Sequence, residues 1–338
     1  YHPSLSVVAN CRICLAEVWA PNPRNDNKLE PIPKLLPTCQ TPASDGNVVY
    51  TTSPKATANQ KAVMEMLLNH HPIDCPTCDQ AGECDLQDYA YEYGRGKRRC
   101  DTEKITQSKK DIGDNIMLYG DRCIMCTRCV RFADEISGTS ELFIDGRGAK
   151  EYIDVFPGIG INNELSGNVI DICPVGAMLD KDFMFQQRVW FLKTTPSIDP
   201  LTSSGDNIII EQNDNAIYRV KPRTNLEINQ YWITDEVRYG WKFVHDESRI
   251  TEINDDAEIV AADMLQQAKS VALLVSPMLS CEDAWLLGNL VRGLDSNAII
   301  GIGPVPIVGE DKTFKSGFTM RSEKAPNARG VQRALGDA

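Results

Sequence analysis

Three cysteines separated by gaps of two residues carry the strongest chemical signal in this sequence. They are Cys123, Cys126 and Cys129, and Cys173 follows further along the chain with Pro174 directly after it. In bacterial ferredoxins a C-x2-C-x2-C loop binds three corners of an iron–sulfur cubane, and a distant Cys-Pro supplies the fourth ligand. The short gaps let three thiolates converge while backbone N–H groups point at the sulfides and offset their charge. The spacing therefore predicts a [4Fe–4S] cluster held by these four cysteines, which we call the cubane site.

Zinc and disulfide bonds are the alternatives for this group. Structural zinc sites usually use two separated cysteine pairs, and three evenly spaced cysteines are not typical of them. Disulfide bonds are typical of secreted chains, and no secretory leader pattern is visible here. We therefore expect these thiols to be cluster ligands.

A second group, which we call the histidine site, places four metal-capable side chains in one short loop. It has the pattern H-x3-C-x2-C-x5-C and consists of His71, Cys75, Cys78 and Cys84. On spacing alone a zinc site with one histidine and three cysteines competes with a [4Fe–4S] cluster, and the neighbouring cubane pattern favours the cluster. A neutral imidazole in place of a thiolate should raise the reduction potential, as it does in Rieske centres. His70 ends the preceding helix and is as well suited to capping or packing there as to binding metal, so we predict His71 as the ligand.

A third group, Cys11, Cys14 and Cys39, supplies only three ligands from a segment of short strands and loops. Two interpretations remain open. One is a three-cysteine site of unassigned meaning, and the other is a [2Fe–2S] site whose first cysteine lies upstream of Tyr1. The sequence starts without an initiator Met, so we expect missing residues upstream and favour the second interpretation.

The elements that must position these side chains are short. Residues 1–55 are predicted to form short strands and long loops, because apolar runs alternate with Pro, Asn, Asp and Gly. Apolar spacing predicts a helix over 57–70, which Pro72 ends by restricting the residue before it. A second helix is predicted over 79–93, and short helices are predicted around the cysteine-rich turn of 121–180.

Beyond about residue 190 the pattern changes. Strands are predicted from Asn207 and from Ala216, and 270–302 has the pattern of a β–α–β unit. Its helix is predicted to begin after Ser280 as the N-cap, with Asp283 in the capping-box position.

Two of the 12 cysteines fall outside the three groups. Cys281 lies at the predicted helix start, where acidic neighbours disfavour the thiolate. Cys100 follows the basic run 97–99, which we interpret as a solvated loop, and no second ligand lies near it in sequence. We expect neither to bind metal.

Composition excludes several function classes. The chain has 338 residues, 35 Lys and Arg against 47 Asp and Glu, and a formal charge of −12. This charge argues against a nucleic-acid partner. The longest apolar runs are strand-sized, so no direct membrane span is expected. Neither a G-x-G-x-x-G fingerprint nor a P-loop is present, which indicates that nucleotides bind elsewhere.

Taken together, the motifs resemble a known family. The segments that carry the resemblance are YHPSL from Tyr1, NCRICLAEV from Asn10, HPIDCPTCDQAGEC from His71, RCIMCTRCVRF from Arg122 and CPVGAM from Cys173. They resemble the large peripheral-arm iron–sulfur subunit of respiratory complex I, NADH:quinone oxidoreductase, also described as its 75-kDa-type or G-type subunit. The resemblance extends over nearly the whole chain.

The resemblance implies the ligand sets. A [2Fe–2S] cluster would take Cys11, Cys14, Cys39 and a cysteine immediately before Tyr1. A histidine-ligated [4Fe–4S] cluster would take His71, Cys75, Cys78 and Cys84. An all-cysteine [4Fe–4S] cluster would take Cys123, Cys126, Cys129 and Cys173. Some family members carry a further C-x2-C-x3-C cluster, but the matching stretch 195–205 has no cysteine. We expect no downstream cluster and no molybdopterin.

The implied fold is α+β and multidomain. A plant-ferredoxin-like β-grasp domain would occupy 1–56. A [4Fe–4S] domain with one histidine and three cysteine ligands would occupy 57–110, and a ferredoxin-like [4Fe–4S] domain 111–190, both small and α-helical. Residues 191–338 would form a partial α/β domain resembling molybdopterin oxidoreductases, without their cofactor.

The implied function is electron transfer. As a subunit of the enzyme, without an NADH or quinone site of its own, the chain would pass single electrons from a flavin-bearing NADH-oxidising subunit toward the quinone site. Its partners would be that subunit and other peripheral-arm iron–sulfur subunits. It would lie peripherally on the cytoplasmic face of a bacterial inner membrane, or on the matrix side in mitochondria. The alternatives are a diaphorase-type subunit of an NAD-linked hydrogenase or formate dehydrogenase, and a zinc-stabilised scaffold.

Overall fold

The computed structural model describes residues 1–252 and 255–336. The chain divides into two compact units, one spanning Tyr1–Leu192 and the other beginning at Lys193. Both combine helices with small sheets, as expected for a mixed α and β chain. The finer division of the first 190 residues into three domains remains a prediction. Among the described helices, none is both long and apolar enough to cross a membrane.

A small antiparallel sheet opens the first unit. Its central strand is β1 (Leu15–Asn22), which pairs with β2 (Lys28–Pro31), β3 (Leu36–Pro37) and β4 (Val48–Tyr50). Alternate residues of β1, Ala16 and Val18, are buried, as expected for a strand with one face on a core. The sheet places Cys11 and Cys14 before its first strand and Cys39 after its third.

Helix α1 (Pro54–His70) follows the sheet and ends where Pro72 predicted. The Ser53 hydroxyl accepts a hydrogen bond from the Ala56 N–H, which satisfies one of the free N–H groups at the start of the helix. His71 already has extended backbone geometry, with φ −63° and ψ 131°. The helix end therefore delivers His71 into the following loop.

Helix α2 (Asp85–Tyr93) begins six residues later than the predicted start at 79. Residues 79–84 form turns instead, and Gly82 adopts φ +94°, a left-handed conformation that interrupts a helix. A Cβ on Gly82 would come within 2.7 Å of the Val189 side chain. The loop is therefore held by packing that the local pattern does not reveal.

The rest of the first unit surrounds the cubane motif with short elements, as predicted. These helices and strands are β5 (Lys109–Asp111), β6 (Ile116–Tyr119), α3 (Arg128–Phe132), β7 (Leu142–Asp145), β8 (Tyr152–Val155), α4 (Asn168–Ile172) and β9 (Met178–Asp180). Strands β5, β6 and β9 form one antiparallel sheet, and β7 pairs with β8.

The second unit begins with an antiparallel meander of β10 (Lys193–Ile198), β11 (Asn207–Asn213) and β12 (Ala216–Pro222). It confirms the two strands predicted from Asn207 and Ala216. Buried Ile208 and Val220 pack with residues on and before α5 (Asp235–Tyr239).

The predicted β–α–β unit is also confirmed. Strands β13 (Ala272–Val275) and β14 (Ile299–Ile302) are parallel and flank α7 (Cys281–Leu294) in sequence. Ser280 caps the helix by accepting from the Asp283 N–H at 3.0 Å. The remaining elements are α6 (Asp255–Gln267), β15 (Lys312–Thr313), β16 (Thr319–Met320) and α8 (Ala328–Leu335).

A buried carboxyl makes the stability of the second unit depend on pH. Asp206 is 1% exposed, and its Oδ2 has no hydrogen-bond partner among the described residues. Burial, and then the nearby Asp199 charge, raises the pKa of Asp206 to about 8. The folded state therefore holds a proton that the unfolded chain releases above about pH 4. This contribution to stability falls as pH rises from about 4 through 8, by about 1.4 kcal/mol per pH unit.

Asp206→Asn should remove that dependence, because an amide stays neutral throughout this range. We expect wild-type thermal unfolding of the second unit to shift downward between pH 5.5 and pH 8, and the variant to shift much less. Asp214→Asn, at an exposed turn, is the matched control and should behave as wild type. Identical pH profiles for Asp206→Asn and wild type would contradict the assignment.

Candidate metal centres

The cubane loop is shaped by two left-handed residues, one in each gap between its cysteines. Met125 has φ +53° and Thr127 has φ +58°. Both conformations are uncommon for residues other than glycine, and they turn the backbone sharply between consecutive cysteines. The Met125 N–H donates to Cys123 Sγ at 3.4 Å, which is the kind of N–H to sulfur contact that offsets thiolate charge.

The four predicted cubane ligands lie in one electrostatic environment. Burial raises the pKa of Cys129 well above its usual value, and the neighbouring Cys173, Cys126 and Cys123 raise it further. Burial likewise raises the pKa of Cys123 to about 11. Burial, with a further contribution from the Cys126 charge, raises the pKa of Cys173 to about 12. Four thiolates in this setting require a cationic partner, and an iron–sulfur core supplies one. The donor set therefore fits a [4Fe–4S] cluster.

Cys173 reaches this site from the far end of α4. The helix ends at Ile172, and Cys173 takes extended geometry with φ −72° and ψ 118°. Backbone N–H groups of Val175 and Met178 act on its thiol and lower its pKa against the dominant effect of burial. The Cys-Pro segment thus brings both a ligand and N–H donors to the site.

The histidine site lies around a cavity of about 540 Å³. His71, Cys75 and Cys84 line this cavity. Cys78 is buried beside it, and the charges of Cys75 and Cys78 both act on Cys84. Burial is the largest cause raising the pKa of Cys78 and of Cys84. Three of the four donors thus line one cavity. Cys78 and Cys84, like the buried cubane cysteines, need a cation to remain thiolates.

The two neighbouring histidines differ in their surroundings. The Nδ1 atoms of both His70 and His71 are buried without a hydrogen-bond partner among the described residues. Only His71 is among the residues that line the cavity. Burial lowers the pKa of His71, opposed by the Asp74 charge, and this favours the neutral imidazole that binds metals. The geometry favours His71 as the ligand.

Cys100 is a cavity residue that the sequence does not reveal. It is exposed but lines the same cavity as His71, together with the basic run 97–99. That run is predicted to be a solvated loop, and its Arg99 is in fact anchored to Glu65 at 2.5 Å. No signal in the sequence pairs Cys100 with the loop of His71 and Cys75. Their position around one cavity depends on the path of the chain after α2, which folds back toward that loop.

The two candidate [4Fe–4S] sites share a wall formed by residues 173–177. Cys84 Sγ lies 3.7 Å from the Pro174 carbonyl oxygen. Val175 packs in the same core cluster as Cys84 and Met64. A Cβ placed on Gly176 would lie 2.3 Å from Cys78 Sγ, so this position accepts only glycine without rearrangement. The segment that supplies one ligand to the cubane site also packs against the histidine site.

The third group is brought together at the edge of the first sheet. Cys14 and Cys39 interact directly. Partial burial acts to raise the pKa of Cys14, but hydrogen bonds from Cys39 and Thr38 together outweigh it and lower that pKa. Burial is the largest cause that raises the pKa of Cys39, and the charge of Cys11 raises it further. The Thr38 N–H and hydroxyl both donate to the Cys14 carbonyl, at 3.4 and 3.0 Å. Three thiols thus approach one another near the surface.

Within the described ranges, no three His, Cys, Asp or Glu side chains converge tightly enough to hold a single metal ion. A cluster contains several irons, so its protein ligands are distributed over several metal atoms and need not converge on one. Three separate groups of cysteines with these spacings are typical of an iron–sulfur protein.

Three family models match parts of the chain. Residues 113–179 match the ferredoxin-like domain of NADH-quinone oxidoreductase subunit 3, and residues 60–99 match the NADH-ubiquinone oxidoreductase-G iron–sulfur binding region. Residues 192–242 match the NADH-ubiquinone oxidoreductase NDSU1/NuoG-like 4Fe-4S domain.

Curated relatives agree with these matches. The G-type subunit of NADH-quinone oxidoreductase from Rickettsia felis is 36% identical over 310 residues, covering 88% of this chain and 45% of that protein. The mitochondrial NADH dehydrogenase [ubiquinone] iron-sulfur protein 1 of Solanum tuberosum is 37% identical over 342 residues, covering 95% of this chain and 44% of that protein. The mitochondrial NADH-ubiquinone oxidoreductase 78 kDa subunit of Neurospora crassa is 44% identical over 242 residues, covering 71% of this chain and 31% of that protein.

The chain belongs to the family of the large iron–sulfur subunit of NADH:quinone oxidoreductase, and it spans less than half the length of these relatives. A solved NAD+-reducing [NiFe]-hydrogenase is 27% identical, with a TM-score of 0.48, covering 56% of this chain and 76% of that one. A structural likeness at that level carries no argument about function.

The segment matching the third family model does not fit a cysteine-bound cluster. Residues 192–242 contain neither cysteine nor histidine, the side chains that normally bind iron–sulfur clusters. The absence of a downstream cluster remains a prediction, and this composition supports it.

Proposed function

We propose that this chain relays single electrons through iron–sulfur clusters within an NADH:quinone oxidoreductase. The observation that carries the proposal is the shared wall of residues 173–177, which places two cysteine-rich sites on either side of one short segment. Each cluster, when bound, supplies a one-electron carrier. Electron transfer between carriers requires them to lie close together, and the shared wall supports such an arrangement for the two proposed [4Fe–4S] clusters.

The proposed ligand sets follow the three groups. Cys123, Cys126, Cys129 and Cys173 hold one [4Fe–4S] cluster. His71, Cys75, Cys78 and Cys84 hold the second. Cys11, Cys14 and Cys39 hold a [2Fe–2S] cluster together with one further cysteine. In this proposal the protein binds these groups and directs backbone N–H groups toward sulfur, as at Cys123.

Partners and location follow from the family and are part of the proposal. Electrons would come from a flavin-bearing NADH-oxidising subunit and leave through other peripheral-arm iron–sulfur subunits toward the quinone site. The assembly would lie on the cytoplasmic side of a bacterial membrane or the matrix side of a mitochondrial one. The second unit would be a partial molybdopterin-oxidoreductase-like domain without that cofactor.

Metal and acid-labile sulfide analysis of the anaerobically purified protein tests the proposal. We expect iron and sulfide in nearly equal amounts, with little zinc. Stoichiometric zinc without labile sulfide would instead support a zinc-stabilised scaffold and overturn the electron-relay proposal.

Replacing His71 with Cys should keep a cluster but lower its reduction potential, because an anionic thiolate replaces a neutral imidazole. A redox titration followed by low-temperature EPR measures the shift. His70→Gln is the control and should leave every midpoint in place. If His70→Gln removed the signal while His71→Cys changed nothing, His70 would be the ligand.

A further inference from the structure

A buried arginine lies between the two candidate [4Fe–4S] sites. Arg122 directly precedes Cys123, and 2% of its side chain is exposed. Its Nε and Nη2 both donate to Asp74 Oδ2, at 3.0 and 2.6 Å. Nη1 donates to the Gly176 carbonyl at 3.4 Å, and the guanidinium lies 4.2 Å from the centroid of the Tyr119 ring. Contacts from three separate segments fix the position of this cation.

The cation faces the histidine site. The charge of Arg122 interacts electrostatically with Cys78 and with His71, and the opposite charge of Asp74 acts on the same two residues. The Asp74 side chain is 36% exposed, so water screens its charge more than that of the buried guanidinium. At Cys78 the effect of the Arg122 charge exceeds that of Asp74, whereas at His71 the effect of Asp74 is the larger. The positive charge is therefore incompletely neutralised at Cys78.

We propose that Arg122 sets the reduction potential of the cluster held by His71, Cys75, Cys78 and Cys84, an inference that rests on the function proposed above. Reduction adds one electron, and hence one negative charge, to that cluster, with no bond made or broken in the protein. A buried cation nearby stabilises the reduced form and raises the potential. The hydrogen bond to the Gly176 carbonyl holds this cation against the wall shared with the cubane site.

The test uses the complete, cluster-loaded protein and a low-temperature EPR redox titration. The signal of the histidine site is assigned by its shift in His71→Cys. Arg122→Met should lower the midpoint of that signal, by at least a tenfold change in the reduction equilibrium, which is about 59 mV for one electron. Asp74→Asn should raise it, because a negative charge is removed from the same place. The double variant should return toward the wild-type value, and Arg122→Lys should stay near it.

The matched control removes another cation from the same aromatic ring. Lys109 Nζ lies 4.6 Å from the centroid of the Tyr119 ring but is exposed to solvent. Lys109→Met should leave the midpoint unchanged, because water screens its charge.

Three results would overturn the proposal. The first is an unchanged midpoint in an Arg122→Met protein that keeps its iron. The second is a shift of the midpoint in the same direction in Arg122→Met and in Asp74→Asn. The third applies if Arg122→Met loses its iron: an Asp74→Asn midpoint that is not raised above wild type. Wild-type protein without iron and sulfide would be different, since it would refute the proposed function itself.

Discussion

Cys173→Ala should abolish the [4Fe–4S] signal of the cubane site and lower the iron content of the protein. Cys173 supplies the only proposed ligand of this site that lies outside the 123–129 loop, and its thiol interacts with Cys126 and Cys123. Without it one iron has no protein ligand, and an incomplete cluster is the best that three thiolates can hold. Iron analysis and EPR of the reduced protein measure the loss, which should amount to between one and about four irons per chain.

Cys281→Ala is the matched control for this experiment. It makes the same chemical change at a cysteine of the second unit, where Cys281 Sγ contacts Asn327 rather than another thiol. The control should keep full iron and all signals. Retention of an unaltered [4Fe–4S] signal by Cys173→Ala would show that this residue is not a ligand.

Gly176→Ala should damage the histidine site although Gly176 belongs to the other cluster motif. The added methyl would lie 2.3 Å from Cys78 Sγ and 3.1 Å from the Gln80 Cβ, so the thiol or the wall must move. We expect reduced iron and a weakened or shifted EPR signal, assigned by comparison with His71→Cys. The signal of the cubane site should change less, because the collision is with a ligand of the other site.

Gly96→Ala is the control for the glycine substitution. It lies in the same unit, and no heavy atom comes within 4 Å of a Cβ placed there. It should leave iron content and spectra as in wild type. Normal spectra for Gly176→Ala would mean that the wall does not press on Cys78, and would remove the main structural support for the relay.

Sequence patterns predict the parts of the site that depend on neighbours in the chain. Cysteine spacing and the end of α1 are local, since Pro72 alone restricts the backbone of His71. The predicted start of α2 is too early, because Gly82 breaks the helix within residues 79–84 and packs against Val189. Tertiary packing prevails over local propensity there.

Other features depend on contacts between distant segments and leave no pattern to detect. Arg122 and Asp74 are 48 positions apart, and the contact between Gly176 and Cys78 spans still more of the chain. Both follow from the way the cubane motif folds back onto the loop of the histidine site. In sequence, Arg122 is simply the residue before a cysteine, and Gly176 one residue of a Cys-Pro motif.

The electron-relay account is tested most directly by a reductive titration of the purified protein followed by low-temperature EPR. It predicts separate one-electron signals from the two [4Fe–4S] clusters, both broadened by magnetic interaction across the 173–177 wall when both clusters are reduced. His71→Cys should shift one of these signals and Cys173→Ala should remove the other. A protein that shows no reducible iron–sulfur signal when fully loaded with metal would contradict the account.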